Sequence, residues 1–246
     1  MRDLTEAAEK VIVALDCSAD EARILAEKLE GRARWLKVGM TLFYEAGPQI
    51  VSLLKEMGFS IFLDLKLHDI PHQVEGAAAS AVASGADILS VHSLGGTSMV
   101  QAAVRGAKSV STQGRSDAVK IIGITVLTSM DEQALESVGV SGGVESEVKG
   151  LARLAYGAGA HGIVCSPQEA SSMRELLGPD ALIVTPGVRM ASDDVGDQRR
   201  VASPGAAIAS GASMIVVGRP VTAAQDPASA FDAICHDIVE LAQNAQ

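Results

Sequence analysis

The chain has 246 residues, 48% of them hydrophobic, 20% charged and only 3% aromatic, which fits a globular domain with one large core and excludes disordered and low-complexity classes. Thirty acidic against twenty basic residues leave a formal charge of −10, which argues against a nucleic-acid-binding surface or a polybasic membrane patch, so any anionic ligand must be held by local groups. Cys17, Cys165 and Cys235 lie far apart with no C-x-x-C pair, and the apolar run at residues 11–15 is too short for a signal core or membrane span, so a cytoplasmic protein without disulfides is expected.

Short runs rich in Val, Ile and Leu recur along the chain, each followed by an Ala-rich stretch with helical periodicity, the pattern of βα units around a buried parallel sheet. The predicted strands are 11–16, 35–38, 60–67, 88–92, 119–126, 162–165, 182–185 and 214–217. The predicted helices between them are 19–29, 47–57, 73–84, 99–107, 145–157, 168–177, 204–210 and 228–242. Ser18, with Glu21 three residues on, marks a helix start, while Gly85 and Gly211 stand where helices must stop. Eight such units without a Pro/Gly/Ser-rich linker predict one α/β domain over residues 1–246, a closed (β/α)8 TIM barrel. An open doubly wound sheet is the alternative, but the turn Asp16-Cys17-Ser18 lacks the glycines of a dinucleotide-binding fingerprint.

In a barrel, polar residues at the C-terminal ends of strands collect at one mouth. The first predicted strand ends at Asp16, the second carries Lys37, and the third carries Asp64 and Lys66 with Asp69 just beyond; later strands end near His92, Thr128, Ser166, Arg189 and Arg219. On a period of two, Ile61, Leu63, Leu65 and Leu67 face the helices while Asp64 and Lys66 face the lumen. Buried charges cost several kcal/mol unless paired, so Asp16, Lys37, Asp64 and Lys66 are expected to form a network of alternating sign. A purely structural ion network is the competing reading, although Val, Ile and Leu fill such a lumen at lower free-energy cost. Thr185-Pro186-Gly187-Val188-Arg189 and Val217-Gly218-Arg219-Pro220 follow the seventh and eighth strands, where barrels build phosphate sites, and predict a phosphorylated substrate. Residues 190–203 are poor in apolar side chains and predict a flap, from which Gln198 would reach a ligand. His68 and His72 have zinc-like spacing, but Pro71 interrupts any helix there and no third ligand is evident. His92 and His161 read as hydrogen-bonded mouth or core residues, and Cys165 and Cys17 as small buried hydrophobes.

Taken in order, Val-Ala-Leu-Asp (13–16), Leu-Lys-Val-Gly (36–39), Asp-Leu-Lys-Leu-His-Asp-Ile-Pro (64–71), Thr-Val-Leu-Thr-Ser (125–129), Thr-Pro-Gly-Val-Arg (185–189), Asp-Gln-Arg-Arg-Val (197–201) and Val-Gly-Arg-Pro (217–220) resemble the orotidine 5′-monophosphate decarboxylase family across essentially the whole chain. The resemblance implies a homodimer of (β/α)8 barrels that converts orotidine 5′-monophosphate to UMP, the last step of de novo pyrimidine synthesis, without metal or organic cofactor. It implies that Lys66 protonates C6 as CO2 departs, that Asp64 lies against the substrate carboxylate, and that Asp16 and Lys37 contact the ribose and hold the charged array. Asp69 and Ile70 would reach into the partner's site, Thr128 would bind the pyrimidine edge, Arg189, Gly218 and Arg219 the phosphate, and Gln198 would link flap, phosphate and base. One position departs: Gln73 stands where a nucleotide-contacting Thr is usual, which alters local contacts there. The nearest rival is a Mg-dependent sugar-phosphate decarboxylase or aldolase of the same superfamily, which places a Glu metal ligand on the second strand. That position here is Lys37, and an ammonium repels Mg²⁺.

Overall fold

The computed structural model describes residues 3–111, 119–190 and 202–244. Eight parallel strands close in chain order into a barrel: β1 (Val11–Leu15), β2 (Trp35–Gly39), β3 (Ser60–Leu67), β4 (Ile88–His92), β5 (Lys120–Ile124), β6 (Gly162–Val164), β7 (Leu182–Thr185) and β8 (Met214–Val217), which pairs back with β1. The surrounding helices are α1 (Leu4–Ala8), α2 (Ala19–Leu29), α3 (Met40–Ala46), α4 (Gln49–Glu56), α5 (Pro71–Ala83), α6 (Gly96–Ser111), α7 (Glu132–Ser137), α8 (Val144–Gly157), α9 (Ala170–Leu177), α10 (Pro204–Ala209), α11 (Arg219–Thr222) and α12 (Pro227–Asn244). Among the described residues no helix is long and apolar enough to cross a membrane.

Local chemistry sets these boundaries. Ser18 and Glu21 exchange hydrogen bonds as a capping box that starts α2, whose residues Ala22, Leu25, Ala26 and Leu29 recur on one buried face. Gly85 and Gly211 follow α5 and α10 with φ of 114° and 106°, left-handed values that a side chain resists. The helix expected from residue 73 starts earlier, at Pro71, because a ring-fixed φ and a missing N–H suit the first helical position. Strand β5 is shorter than its apolar run: Thr125 turns its hydroxyl to the Val164 carbonyl at 2.8 Å, and Val126 lines the cavity above.

Alternation along the strands makes two cores. The outer one packs Val11, Val13, Leu36, Leu63, Leu89 and their like beneath the helices. The inner one fills the lower lumen with Ile12, Ala14, Phe62, Ile88, Ile122, Val184, Met214 and Val216. Burying each larger aliphatic side chain contributes roughly 1.5–3 kcal/mol.

Between β3 and β4 the ladder is irregular. Phe62 pairs with Ile88 and Leu63 with Leu89, but the next pair is Leu67 with Val91, a register shift over the segment that carries Asp64 and Lys66. Leu65 and Leu67 still pack against the outer core, so the expected split of apolar and charged faces holds through this irregularity.

Candidate active site

The first four strands build a wall of alternating charge. Lys37 Nζ lies 2.8 Å from Asp16 Oδ1 and 3.8 Å from Asp64 Oδ2, and Lys66 Nζ lies 2.8 Å from the same Asp64 oxygen. The remaining Asp64 oxygen accepts from the Ser90 hydroxyl at 2.7 Å. Lys37 and Asp64 are each only 8% exposed, which puts the centre of the network in a low-dielectric setting. Burial pushes the Asp64 carboxyl up, but Lys37, Lys66 and the hydrogen bonds from Lys66 and Ser90 outweigh it and hold the group below the ordinary carboxylate range. Gly39 leaves room for this wall: a Cβ there would stand 2.8 Å from Asp16 Oδ1 and 2.9 Å from Lys37 Nζ.

Lys66 reaches Asp64 from an unusual backbone. Its φ is 50°, the left-handed region in which a non-glycine residue carries a penalty of about 1–2 kcal/mol. Its N–H donates to Ser90 Oγ at 2.9 Å. Ser90 went unnoticed in the sequence because one hydroxyl inside the run Ile-Leu-Ser-Val looks incidental; its even spacing from Ile88, which faces the lumen, was the available signal.

The wall borders a cavity of about 550 Å³, within the size range of small-molecule sites. Apolar side chains from Phe62, Ile124, Val126, Val164 and Val216 line its floor and sides. The ends of the other strands supply Leu127, Thr128, Pro186, Gly187, Arg189, Gly218 and Arg219, with Thr222 as a further lining residue outside every sequence motif named above. The two arginine-bearing segments thus share one cavity with the Asp/Lys network, and Gly218 caps the short helix α11. Glycine and arginine together at two neighbouring strand ends are chemically suited to hold an anion.

Residues 9–234 match the model of the Orotidine 5'-phosphate decarboxylase / HUMPS family. The chain belongs to this family. An orotidine 5'-phosphate decarboxylase of Anaeromyxobacter sp. (strain K) is 50% identical over 227 residues, covering 92% of this chain and 96% of the relative. The protein of that name from Moorella thermoacetica is 47% identical over 236 residues, covering 94% and 93%. Among solved structures, orotidine 5'-phosphate decarboxylase from Lactobacillus acidophilus superposes with a TM-score of 0.83 at 36% identity, covering 94% of this chain and 99% of that one.

Other expected site residues of this Orotidine 5'-phosphate decarboxylase / HUMPS family chain lie elsewhere. Asp69 and Ile70 do not line the cavity of their own chain; both face outward, Ile70 with 63% exposure, and the Asp69 carboxylate accepts the Ile70 N–H at 2.6 Å. Gln73 borders a separate depression with His72 and Glu75. Gln198 and residues 191–201 of the expected flap lie outside the described residues, but the two ends of that segment are joined, Val188 pairing with Ala202. His68 precedes α5, and its ring stacks on that of His92 with centroids 5.2 Å apart. His161 sits at the opposite end of the barrel, accepting from the Ile121 N–H at 3.1 Å. Among the described residues no group of three or more His, Cys, Asp or Glu side chains is arranged to hold a metal ion. Cys165 is fully buried, as expected of a small hydrophobe, whereas Cys17 is only partly so. Burial and nearby carboxylates push Cys17 up to about 11 and Cys235 up to about 12, so neither is a thiolate nucleophile at neutral pH.

Proposed function

We propose that the protein decarboxylates orotidine 5′-monophosphate to UMP and CO2, completing pyrimidine nucleotide synthesis, with Lys66 as the general acid. The observation that carries this reading is Asp64 sharing one oxygen with two ammonium groups in a cavity that Arg189 and Arg219 also line. The nucleotide phosphate binds the arginine side, which directs the pyrimidine ring toward the charged wall, and Thr128 binds the ring edge. As the C6–carboxylate bond breaks, its electron pair stays on C6 and CO2 leaves as a neutral molecule. The Lys66 ammonium stabilises the developing carbanion and gives it a proton, then regains one from water. Asp64 lies against the departing carboxylate, and two such charges about 4 Å apart repel by roughly 4 kcal/mol at an effective dielectric of 20, a strain that disappears with CO2. The phosphate grip, remote from C6, offsets the cost of holding this arrangement.

Lys37 favours this reading over a Mg-dependent sugar-phosphate lyase. Its ammonium lies within ion-pair distance of both Asp16 and Asp64, so a fixed positive charge stands where the rival chemistry needs an anionic ligand to a divalent ion. The reaction assigned is accordingly a direct decarboxylation that needs no metal. Outward-facing Asp69 and Ile70 support a homodimer in which each subunit completes its partner's site. Free thiols at Cys17, Cys165 and Cys235 are in keeping with a cytoplasmic setting.

The test is a spectrophotometric assay of orotidine 5′-monophosphate in excess EDTA, run beside Lys66→Ala. Turnover to UMP by the unmutated protein alone is the expected result. Activity that collapses with chelator, or that survives in Lys66→Ala, overturns the mechanism; turnover of a sugar phosphate with Mg²⁺ instead overturns the substrate.

A further inference from the structure

The register shift between β3 and β4 leaves Asp64, Leu65 and Lys66 without partners in the β4 ladder, and Ser90 is the β4 residue that stands opposite the gap. Its single hydroxyl makes two contacts at once. The proton goes to Asp64 Oδ1 at 2.7 Å, and a lone pair accepts the Lys66 N–H at 2.9 Å. Ser90 is fully buried, so neither contact is replaced by bulk water when the hydroxyl is removed. One oxygen atom therefore fastens both members of the Asp64–Lys66 pair, and it does so where the lysine backbone is left-handed.

We propose that Ser90 is a positioning residue for the reaction: its hydroxyl stands in for the missing ladder hydrogen bond, holds the Lys66 backbone in its left-handed turn and aims the ammonium at the reacting carbon. The proposal rests on the reading of Lys66 as general acid. Ser90 does not line the cavity and touches no reacting atom, so its effect falls on geometry and on the ionisation of Asp64. The groups that bear on that carboxyl are Lys37 from β2, Lys66 from its own strand and Ser90 from β4; Asp16, beyond β1, reaches it through Lys37, and His92 on β4 bears on Lys66. Removing the Ser90 donor leaves the two ammoniums in place and takes away one hydrogen bond to the ionised form, which moves the carboxyl upward.

The isosteric pair Ser90→Thr and Ser90→Val, with Ser90→Ala beside them, tests this. Ser90→Ala and Ser90→Val are expected to lose about 10- to 100-fold in kcat, the scale of a small misplacement of a reacting group, with KM within about 3-fold of the unmutated protein. Ser90→Thr, which keeps the hydroxyl, recovers most of the loss. A carboxyl ¹³C titration of Asp64 moves upward in Ser90→Ala and Ser90→Val but not in Ser90→Thr. Equal kcat for the threonine and valine variants, or an Asp64 titration that ignores the hydroxyl, overturns the proposal; if Ser90→Ala fails to fold, the threonine and valine pair carries the same comparison. An unmutated protein without decarboxylase activity sinks the functional reading, while the Asp64 titration still decides whether Ser90 fastens the pair.

Discussion

Asp64 is the residue on which the site turns, because its carboxylate is shared by Lys37, Lys66 and Ser90. Its depressed pKa means that the unfolded chain binds this proton at higher pH than the folded one, so stability rises with pH across that interval. The contribution is complete above the ordinary aspartate value of about 4 and is lost as pH falls through the lower, folded value. Thermal melts between pH 2 and 6 are expected to show a steep acid loss for the unmutated protein and a shallower one for Asp64→Asn; parallel curves reject the linkage. Arg219→Ala is expected to raise KM by about 10- to 150-fold, the range for a lost charged hydrogen bond, with kcat less affected. An unchanged KM places the phosphate elsewhere. Gly39→Ala tests a different kind of constraint, since the added methyl group meets both Asp16 and Lys37 and displaces one of them. A fall in kcat/KM of at least about 10-fold is expected from the displaced charge, and an alanine variant with full activity shows that the pair has slack.

At the scale of elements, Arg174 on α9 ties the lower ends of two βα units together. Its guanidinium donates to the carbonyls of Gly178, Pro179, Ala181 and Gly211 and to Ser213 Oγ, while Ser213 Oγ in turn accepts the Ile183 N–H. Arg174→Ala leaves several carbonyls short of a donor and is expected to cost about 3 kcal/mol, lowering Tm by roughly 6–12 °C without changing KM. The strands were legible in the sequence because buried parallel strands are continuous apolar runs, and β3, β4, β7 and β8 follow those runs residue for residue. The short helices α3, α7 and α11 were not, because segments of 4–7 residues offer too few turns for an apolar stripe to repeat. Asp16, Lys37, Asp64 and Lys66 were readable as a cluster from their strand positions. The left-handed Lys66 backbone was hidden, since simple alternation sends the same side chain to the same face by a different route.

For the whole molecule, the proposed exchange of Asp69 between subunits makes a quantitative expectation. Lys66→Ala and Asp69→Ala are each expected to be inactive alone, but in a mixed dimer of the proposed kind one site would receive an intact Lys66 from one subunit and an intact Asp69 from the other. Random reassortment of equal amounts should restore about one quarter of the unmutated activity, half the dimers being mixed and half their sites intact. No recovery on subunit exchange would mean that Asp69 serves its own chain or none. The barrel itself divides its labour in the same spirit. In the proposed reading the charges that face the reacting bond come from β1 to β3 and their ends, fastened by Ser90 on β4, whereas the anion grip comes from the ends of β7 and β8. On that reading, such a split separates two properties that mutation would otherwise change together: one part of the ring could be rewritten for a new bond-breaking step while the other kept its proposed hold on a phosphorylated compound, so a lineage built on this plan could change its chemistry without first losing its substrates.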